Sequence, residues 1–320
     1  MDLFPPDRLP LVPESTLRKH KVYQECDSRF RACARLLQAL YREEAGMPMG
    51  GYVNPKGKHR KLGSRLATLP AMTGANFLAA EVFALTRREL IYREPGAAID
   101  ENRVWSNMLS SMPLTFNIFG PLKLRPALAE RFIQAVLPDC AGKVAHIAFE
   151  HSPGRGDMAF LGDGTAFDAF ITVRREDGTK TFIAIEVKYA EGLTEPEARH
   201  RPRYDDLSVT SGLFRDPDAP ELRRNPLGQL WREHMLAQAL VTNNLYDAGA
   251  FVLLAPRLNN DVQRGAITYA THLTDAPGTV RFINLTLEDA AAGIAAAGDG
   301  PYARAFTRRY TDFAPVHAAV

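Results

Sequence analysis

The spacing of apolar positions changes along the chain, and the changes mark its elements. From Ser15 a helix is predicted: Tyr23, Cys26, Phe30, Cys33, Leu37 and Leu40 recur every three or four residues and draw one stripe. Ahead of it, four prolines in the first 13 residues suggest an extended arm. Residues 46–63 break the helix with Gly and Pro. A second helix is expected over 74–92, with Phe77, Leu78, Val82, Leu85 and Leu90 on its apolar side. In 103–120, Ser110, Ser111 and Asn117 sit among large apolar residues, which suits a packed segment better than a free linker. A further helix over about 125–137 ends at Pro138.

The period then becomes two. Residues 144–150, 167–175 and 180–190 are predicted strands, with a glycine-rich loop at 152–166. After a polar stretch with four prolines (191–224), Leu227, Leu230, Trp231, Met235, Leu236 and Leu240 trace a helix over about 226–243. Residues 249–254 form a short buried strand and 280–285 another candidate; Tyr302, Phe306, Tyr310 and Phe313 have helical spacing and read as core. From residue 125 the order is αβββαβ, a mixed α/β core.

Composition narrows this only a little. With 320 residues the chain suits two domains or one elaborated α/β domain. Its 46% hydrophobic and 24% charged residues exclude a disordered, collagenous or coiled-coil protein. A net charge of +2 excludes a polycation but allows local basic patches. Three cysteines without CxxC spacing suggest neither a disulfide scaffold nor a zinc ribbon. No apolar run is long enough to span a bilayer, and the start MDLFPPDRLP lacks an apolar stretch behind basic residues, so a cytoplasmic location is expected.

The chemistry concentrates in FDAFITVRREDGTKTFIAIEVKYAE, residues 167–191. Asp177-Gly178 marks a turn. A two-residue loop would set Asp168 opposite Val187 and put the acids on opposite faces. A three-residue loop, Glu176-Asp177-Gly178, sets Asp168 opposite Glu186, Ala169 opposite Ile185 and Ile171 opposite Ile183. The apolar pairs then share one face and the acids the other, so the hydrophobic pattern favours this register. Asp168 and Glu186 would have Cβ atoms about 5 Å apart. Two carboxylates that close repel unless a cation or proton lies between them. Mg²⁺ suits such oxygen ligands, with Mn²⁺ a substitute. Lys188 follows on the same face, placed to orient water or to stabilise charge on a phosphate. Glu-x-Lys occurs once in the chain, and the weight comes from its setting rather than from the triplet.

Asp168 and Glu186-Val187-Lys188, in an αβββαβ order over about 125–255, resemble the PD-(D/E)XK nuclease superfamily. SSMPLTFNIFGPL (110–122), FD (167–168) and IEVKYAE (185–191) resemble a family of restriction-endonuclease-like proteins within it. Phe167-Asp168 departs from the family's Pro-Asp. The resemblance implies an α/β, restriction-endonuclease-like αβββαβ core with a mixed central sheet, plus a helical N-terminal region. The division expected is 1–120 as that region, packed on the core; 121–258 as the nuclease-like core; and 259–320 as an extension with a strand and helices. It further implies that Asp168 and Glu186 hold Mg²⁺, that Lys188 is the catalytic lysine, and that Glu150 is an additional acid. For Glu150 the alternative is a strand-end Glu paired with an Arg.

Other residues carry weaker signals. His151 is a candidate general base, although a lone His beside a loop usually is not one. Asp157 and Asp163 suit turns, Tyr189 suits core, and Asn117 suits a cap or a core hydrogen bond. Gln229 and Arg232 could share a helix face near the metal or phosphate, as in related nucleases, or simply face solvent. Lys56, Lys58, His59, Arg60 and Lys61 form one basic cluster; Arg199, His200, Arg201 and Arg203 form a second; Arg223 and Arg224 form a third. Each could be a solvated face. Clusters flanking an acidic site favour a polyanion, and DNA is the expected partner, with RNA still open. The leading expectation is a metal-dependent deoxyribonuclease, an endonuclease, with a homodimer open as well. The alternatives are a catalytically silent DNA-binding protein that keeps the fold and a hydrolase of a small phosphate ester.

Overall fold

Ser28 decides where the first long helix begins. In the computed structural model, which describes residues 8–53, 56–194 and 198–320, helix α1 (Glu14–Lys19) ends before a connector in which Lys21 takes a φ of 57°. The Ser28 hydroxyl then accepts from the Arg31 N–H and caps α2 (Arg29–Glu44). The single stripe expected from Ser15 is therefore two helices. Its spacing runs on through the connector, so Cys26 is exposed whereas Cys33 is buried. Of the expected arm, residues 1–7 lie outside the described residues.

The Gly/Pro-rich stretch after α2 is not merely irregular. It holds an antiparallel pair, β1 (Met49–Val53) and β2 (His59–Leu66). Its glycines permit the pairing, since a Cβ on Gly51 would stand 2.4 Å from the Arg60 carbonyl oxygen. Next come α3 (Thr68–Met72), α4 (Ala80–Ile91) and α5 (Glu101–Ser106). The packed segment is α6 (Ser111–Leu124), buried at every position from Ser111 to Leu122. Ser110 caps it through the Met112 N–H. Helix α7 (Pro126–Val136) starts on the proline whose fixed φ suits a first turn.

Strands β3 (Lys143–His151), β4 (Phe167–Arg174) and β5 (Lys180–Val187) form an antiparallel meander. Helices α8 (Pro202–Thr210) and α9 (Gly228–Thr242) lead to β6 (Ala248–Ala255), and α10 (Asn260–Thr271) leads to β7 (Arg281–Thr286). β6 and β7 add parallel to β5, giving a mixed five-stranded sheet in the order β3-β4-β5-β6-β7. The chain ends in α11 (Leu287–Ala296), α12 (Gly300–Tyr310) and α13 (Ala314–Ala318). Among the described residues no helix is long and apolar enough to cross a membrane.

The β4–β5 register is the expected one: Ala169 pairs with Ile185, Ile171 with Ile183 and Arg174 with Lys180. Gly178 closes the loop at a φ of 87°. Both faces of the sheet are covered. Ile147, Ile171, Ile183, Ile185 and Val252 pack under α2, α6, α7, α11 and α12. Phe170, Phe182, Ala184, Phe251 and Leu253 pack under α8, α9 and α10. The acids' face is thus a second core, open only at its end.

Two buried polar side chains tie these layers. Arg309 on α12, fully buried, donates to Asn76 O at 2.7 Å, Asn76 Oδ1 at 2.5 Å and Gln38 Oε1 at 3.3 Å. His234 on α9 donates from Nε2 to Val280 O at 2.8 Å, and its Nδ1 meets the Tyr269 hydroxyl at 3.0 Å. Burial lowers the His234 pKa from 6.5 to about 4, against the Val280 carbonyl, which favours the charged ring.

Two outcomes are expected in urea unfolding. Arg309→Ala leaves the buried Asn76 Oδ1 and Gln38 Oε1 without a donor, while Asn76 O keeps the Asn117 amide; it should cost about 3 kcal/mol or more, whereas exposed Arg308→Ala should cost less than about 1 kcal/mol. Equal losses would mean the network does not hold α12. For His234, the unfolded chain takes up a proton below its ordinary pKa while the folded ring stays neutral down to about 4, so stability falls as the pH drops through that window. Between pH 7 and pH 5 the loss should be about 2 kcal/mol from this group. His234→Gln should remove that part of the slope; an unchanged slope would assign it elsewhere.

Candidate active site

The site forms where three antiparallel strands end together. Asp168 is the second residue of β4, Glu186 lies at the close of β5, and Glu150 lies at the end of β3. Their alternation would carry each side chain across the sheet, so register alone decides whether they meet. Glu150 departs from that alternation: its φ is 48°, a left-handed conformation rare for a residue with a Cβ. The distortion falls at the last rungs of β3, where Phe149 pairs with Ala169 and His151 with Phe167.

The polar contacts are dense. Asp168 Oδ2 accepts the Val187 N–H at 2.8 Å, which ties the end of β4 to the end of β5. The Lys188 ammonium lies 3.0 Å from Glu186 Oε1 and donates to Gln229 Oε1 at 2.9 Å. The Gln229 amide returns the contact, donating from Nε2 to Glu186 Oε1 at 2.7 Å and to Glu233 Oε1 at 2.8 Å. Gln229 and Glu233 lie one turn apart at the start of α9, so a single helix face supplies both. Glu186, Lys188 and Glu233 are at most 5% exposed. Glu233 Oε2 is buried with no hydrogen-bond partner among the described residues.

Burial and the charge of Glu186 raise the pKa of three neighbouring carboxyls, Asp168, Glu150 and Glu233. Burial pushes the Asp168 carboxyl well above its ordinary value, and the charges of Glu186 and Glu150 push it further; the Val187 N–H and Lys188 pull the other way. Burial and Glu186 lift Glu150 to about 7, while Arg103 and Arg155 oppose. Burial, then Glu186, also raises Glu233. Such a set is short of positive charge, and this is the feature a divalent cation would fit: hard oxygen donors, held close, that cannot all ionise unaided. Among the described residues no three His, Cys, Asp or Glu side chains stand together as a ready-made ligand set. Two carboxylates with water and phosphate oxygens are enough for Mg²⁺.

Surrounding contacts hold the turn after β5. The Lys188 N–H donates to Leu254 O at 2.9 Å on β6. Glu191 Oε1 accepts the Ser111 N–H at 2.9 Å, the Ser111 hydroxyl at 3.2 Å and Arg103 at 3.2 Å, and so caps α6. Asn259 donates to Tyr189 O and Glu191 O. The two segments 110–122 and 185–191 therefore meet directly.

Of the residues singled out from the sequence, Glu150, Asp168, Glu186, Lys188 and Gln229 come together here. Arg232 donates to Gly228 O in its own helix and reaches the site only through its charge, which offsets Glu233. His151 bonds the Glu94 carboxylate through Nδ1 and packs on Phe170. Asp157 and Asp163 close turns by accepting the Ala159 and Thr165 N–H groups. Asn117 bonds Asn76 O and the Tyr310 hydroxyl in the core, and Tyr189 is fully buried beside Gln38. Arg201 and Arg203 donate to Gly162 O and Phe160 O, fastening α8 to the glycine-rich loop, while Arg199 is exposed. Arg223 pairs with Asp205. Lys56, Lys58, Arg60 and Lys61 stand on and beside the separate β1–β2 pair. Glu233 was missed, although its place four residues after Gln229 was a readable signal. Arg103 and Arg155 were missed as well, and no local pattern marks them.

Mutual repulsion makes a stability prediction. In EDTA, Asp168→Asn keeps an oxygen for the Val187 N–H and removes one charge. Its Tm should exceed that of the wild type, by about 1 kcal/mol of stability. Millimolar Mg²⁺ should raise the wild-type Tm and leave the variant's unchanged. A lower Tm for the variant in EDTA would refute the repulsion.

A family model for the PD-(D/E)XK nuclease superfamily matches residues 25–312. Among curated proteins and among solved structures, no match is found.

Proposed function

Since the chain belongs to the PD-(D/E)XK nuclease superfamily, we propose that it hydrolyses phosphodiester bonds of DNA as a metal-dependent endonuclease. The observation that carries this reading is the convergence of Asp168, Glu186 and Lys188 at the open end of the sheet, where burial and the charges of Glu186 and Glu150 raise the Asp168 pKa. Asp168 and Glu186 are the residues that would hold Mg²⁺, or Mn²⁺ in its place. A divalent cation bound there supplies positive charge to the phosphate and acidity to a water molecule.

The chain's own groups do the remainder. Lys188, pinned between Glu186 and Gln229, presents a localised ammonium that orients the attacking water and stabilises charge on the phosphate. Gln229 fixes both partners, because its carbonyl meets the ammonium and its amide meets the carboxylate. Glu150, raised to about 7, is an acid able to accept a proton near neutral pH. A second reading, a DNA-binding protein that keeps the fold without cutting, draws on Glu186 Oε1 already being engaged by Lys188 and Gln229.

Supercoiled plasmid with Mg²⁺ separates the two. Wild-type protein should nick or linearise it, and EDTA should stop the reaction. Asp168→Ala, Glu186→Ala and Lys188→Ala should each lower the rate about a thousandfold or more, roughly 4 kcal/mol of barrier. No cleavage by any form, with DNA binding intact, selects the silent binder. Equal cleavage by all four proteins removes the site assignment.

A further inference from the structure

The β1–β2 pair is the feature that the catalytic site leaves unexplained. It is a two-stranded sheet apart from the central one. Between Gly46 and Ala67 the chain has no acid, and it carries Lys56, Lys58, Arg60, Lys61 and Arg65. In a protein of net charge +2 this is a marked concentration.

Its two halves differ. The root is embedded: Leu62, Ser64 and Leu66 are buried, and Arg42 on α2 donates to Gly63 O at 2.8 Å and to Met47 O at 2.7 Å. The described residues of the outer half are open to solvent. His59, Arg60 and Lys61 are exposed, and so are Gly51 and Val53 across from them on the rungs Gly51–Lys61 and Val53–His59. At about 3.3 Å per residue, the strand from Leu66 to His59 extends roughly 23 Å.

The root is also linked to the site through α5. Arg65 reaches Ser106 on α5 at 3.4 Å, and the Ser64 carbonyl accepts the Met108 N–H. From the same short helix, Arg103 bonds Glu191 and offsets the charge of Glu150. One six-residue helix therefore joins the basic hairpin to the acids.

We infer that the hairpin is a DNA-binding ribbon that enters the major groove of the duplex and so presents a phosphodiester to the site. This rests on the nuclease reading above and specifies its substrate as duplex DNA. The warrant is shape with charge. The major groove, about 12 Å wide, admits a two-stranded β-ribbon. The deep, narrow major groove of duplex RNA does not. The exposed Arg60 and Lys61 bring to it the positive charge that releases counterions.

The test is binding in EDTA, read by fluorescence anisotropy on a 30-base-pair DNA duplex and on an RNA duplex of the same sequence. Wild-type protein should bind DNA at least tenfold more tightly than RNA and should protect guanine N7 from methylation. The double variant Arg60→Ala/Lys61→Ala, with its Tm unchanged, should bind DNA at least tenfold more weakly. Its slope of log K against log salt should be shallower by about 2, and the N7 protection should be gone. Equal affinity for the two duplexes, or a double variant with wild-type affinity and slope, would overturn the inference. Because no cleavage is needed, the two readings fail separately. A protein that binds through the ribbon but never cuts loses only the nuclease reading. One that cuts while the double variant binds normally loses only the ribbon.

Discussion

Everything at this site depends on the pairing register of β4 with β5. Side chains alternate across a sheet, so a slip of one residue would send Asp168 and Glu186 to opposite faces. The Ala169–Ile185 and Ile171–Ile183 pairs oppose that slip, because it would drive isoleucines out of one core and into the other. The three-residue loop ending in Gly178 supports the same register from the far end of the hairpin. The Asp168–Val187 hydrogen bond supports it at the near end. A hydrophobic pattern thus holds two like charges together that would otherwise separate.

Holding them costs stability, and neighbouring elements offset part of the cost. The acids' face is roofed by α9, which is why burial heads the causes of the raised pKa values of Asp168, Glu150 and Glu233. From that roof come Gln229, which bridges Glu186 and Lys188, and Glu233, which stays partly unsatisfied. Polar groups left short of partners at a buried site are a common mark of function over stability. The left-handed turn at Glu150 belongs with them, a backbone strain at the rim of the same cluster.

The N- and C-terminal segments do more than surround the sheet. Glu191, just past the lysine, caps the buried helix α6, while Tyr189 bonds Gln38 of α2 and the Tyr310 carbonyl of α12. The turn carrying Lys188 is therefore fixed by elements more than a hundred residues distant on either side. One hydrophobic cluster runs from Leu17 to Val316 through both ends of the chain.

The central meander, its loop and its register were legible from sequence because they rest on local rules: a period of two, Asp-Gly at a turn, and apolar pairs that must share a face. Asp168, Glu186 and Lys188 followed from those rules. Helices with a clear apolar stripe, α7 and α9 among them, were legible for the same reason. The stripes misled at Tyr23 and Cys26, where 3–4 spacing ran on past the capping Ser28, and at Phe77 and Leu78, which lie in the turns before α4 rather than on the helix expected over 74–92. The β1–β2 pair escaped because glycines and lysines carry no strand alternation; it exists through backbone pairing that only glycine permits at Gly51. Tertiary structure alone decided that the acids' face is buried, that Glu233 joins the cluster, and that Arg103 and Arg155 offset Glu150. Those facts depend on contacts between residues far apart in the chain. Sequence periodicity reports which way a side chain faces on its own element, but not which element comes to lie against it.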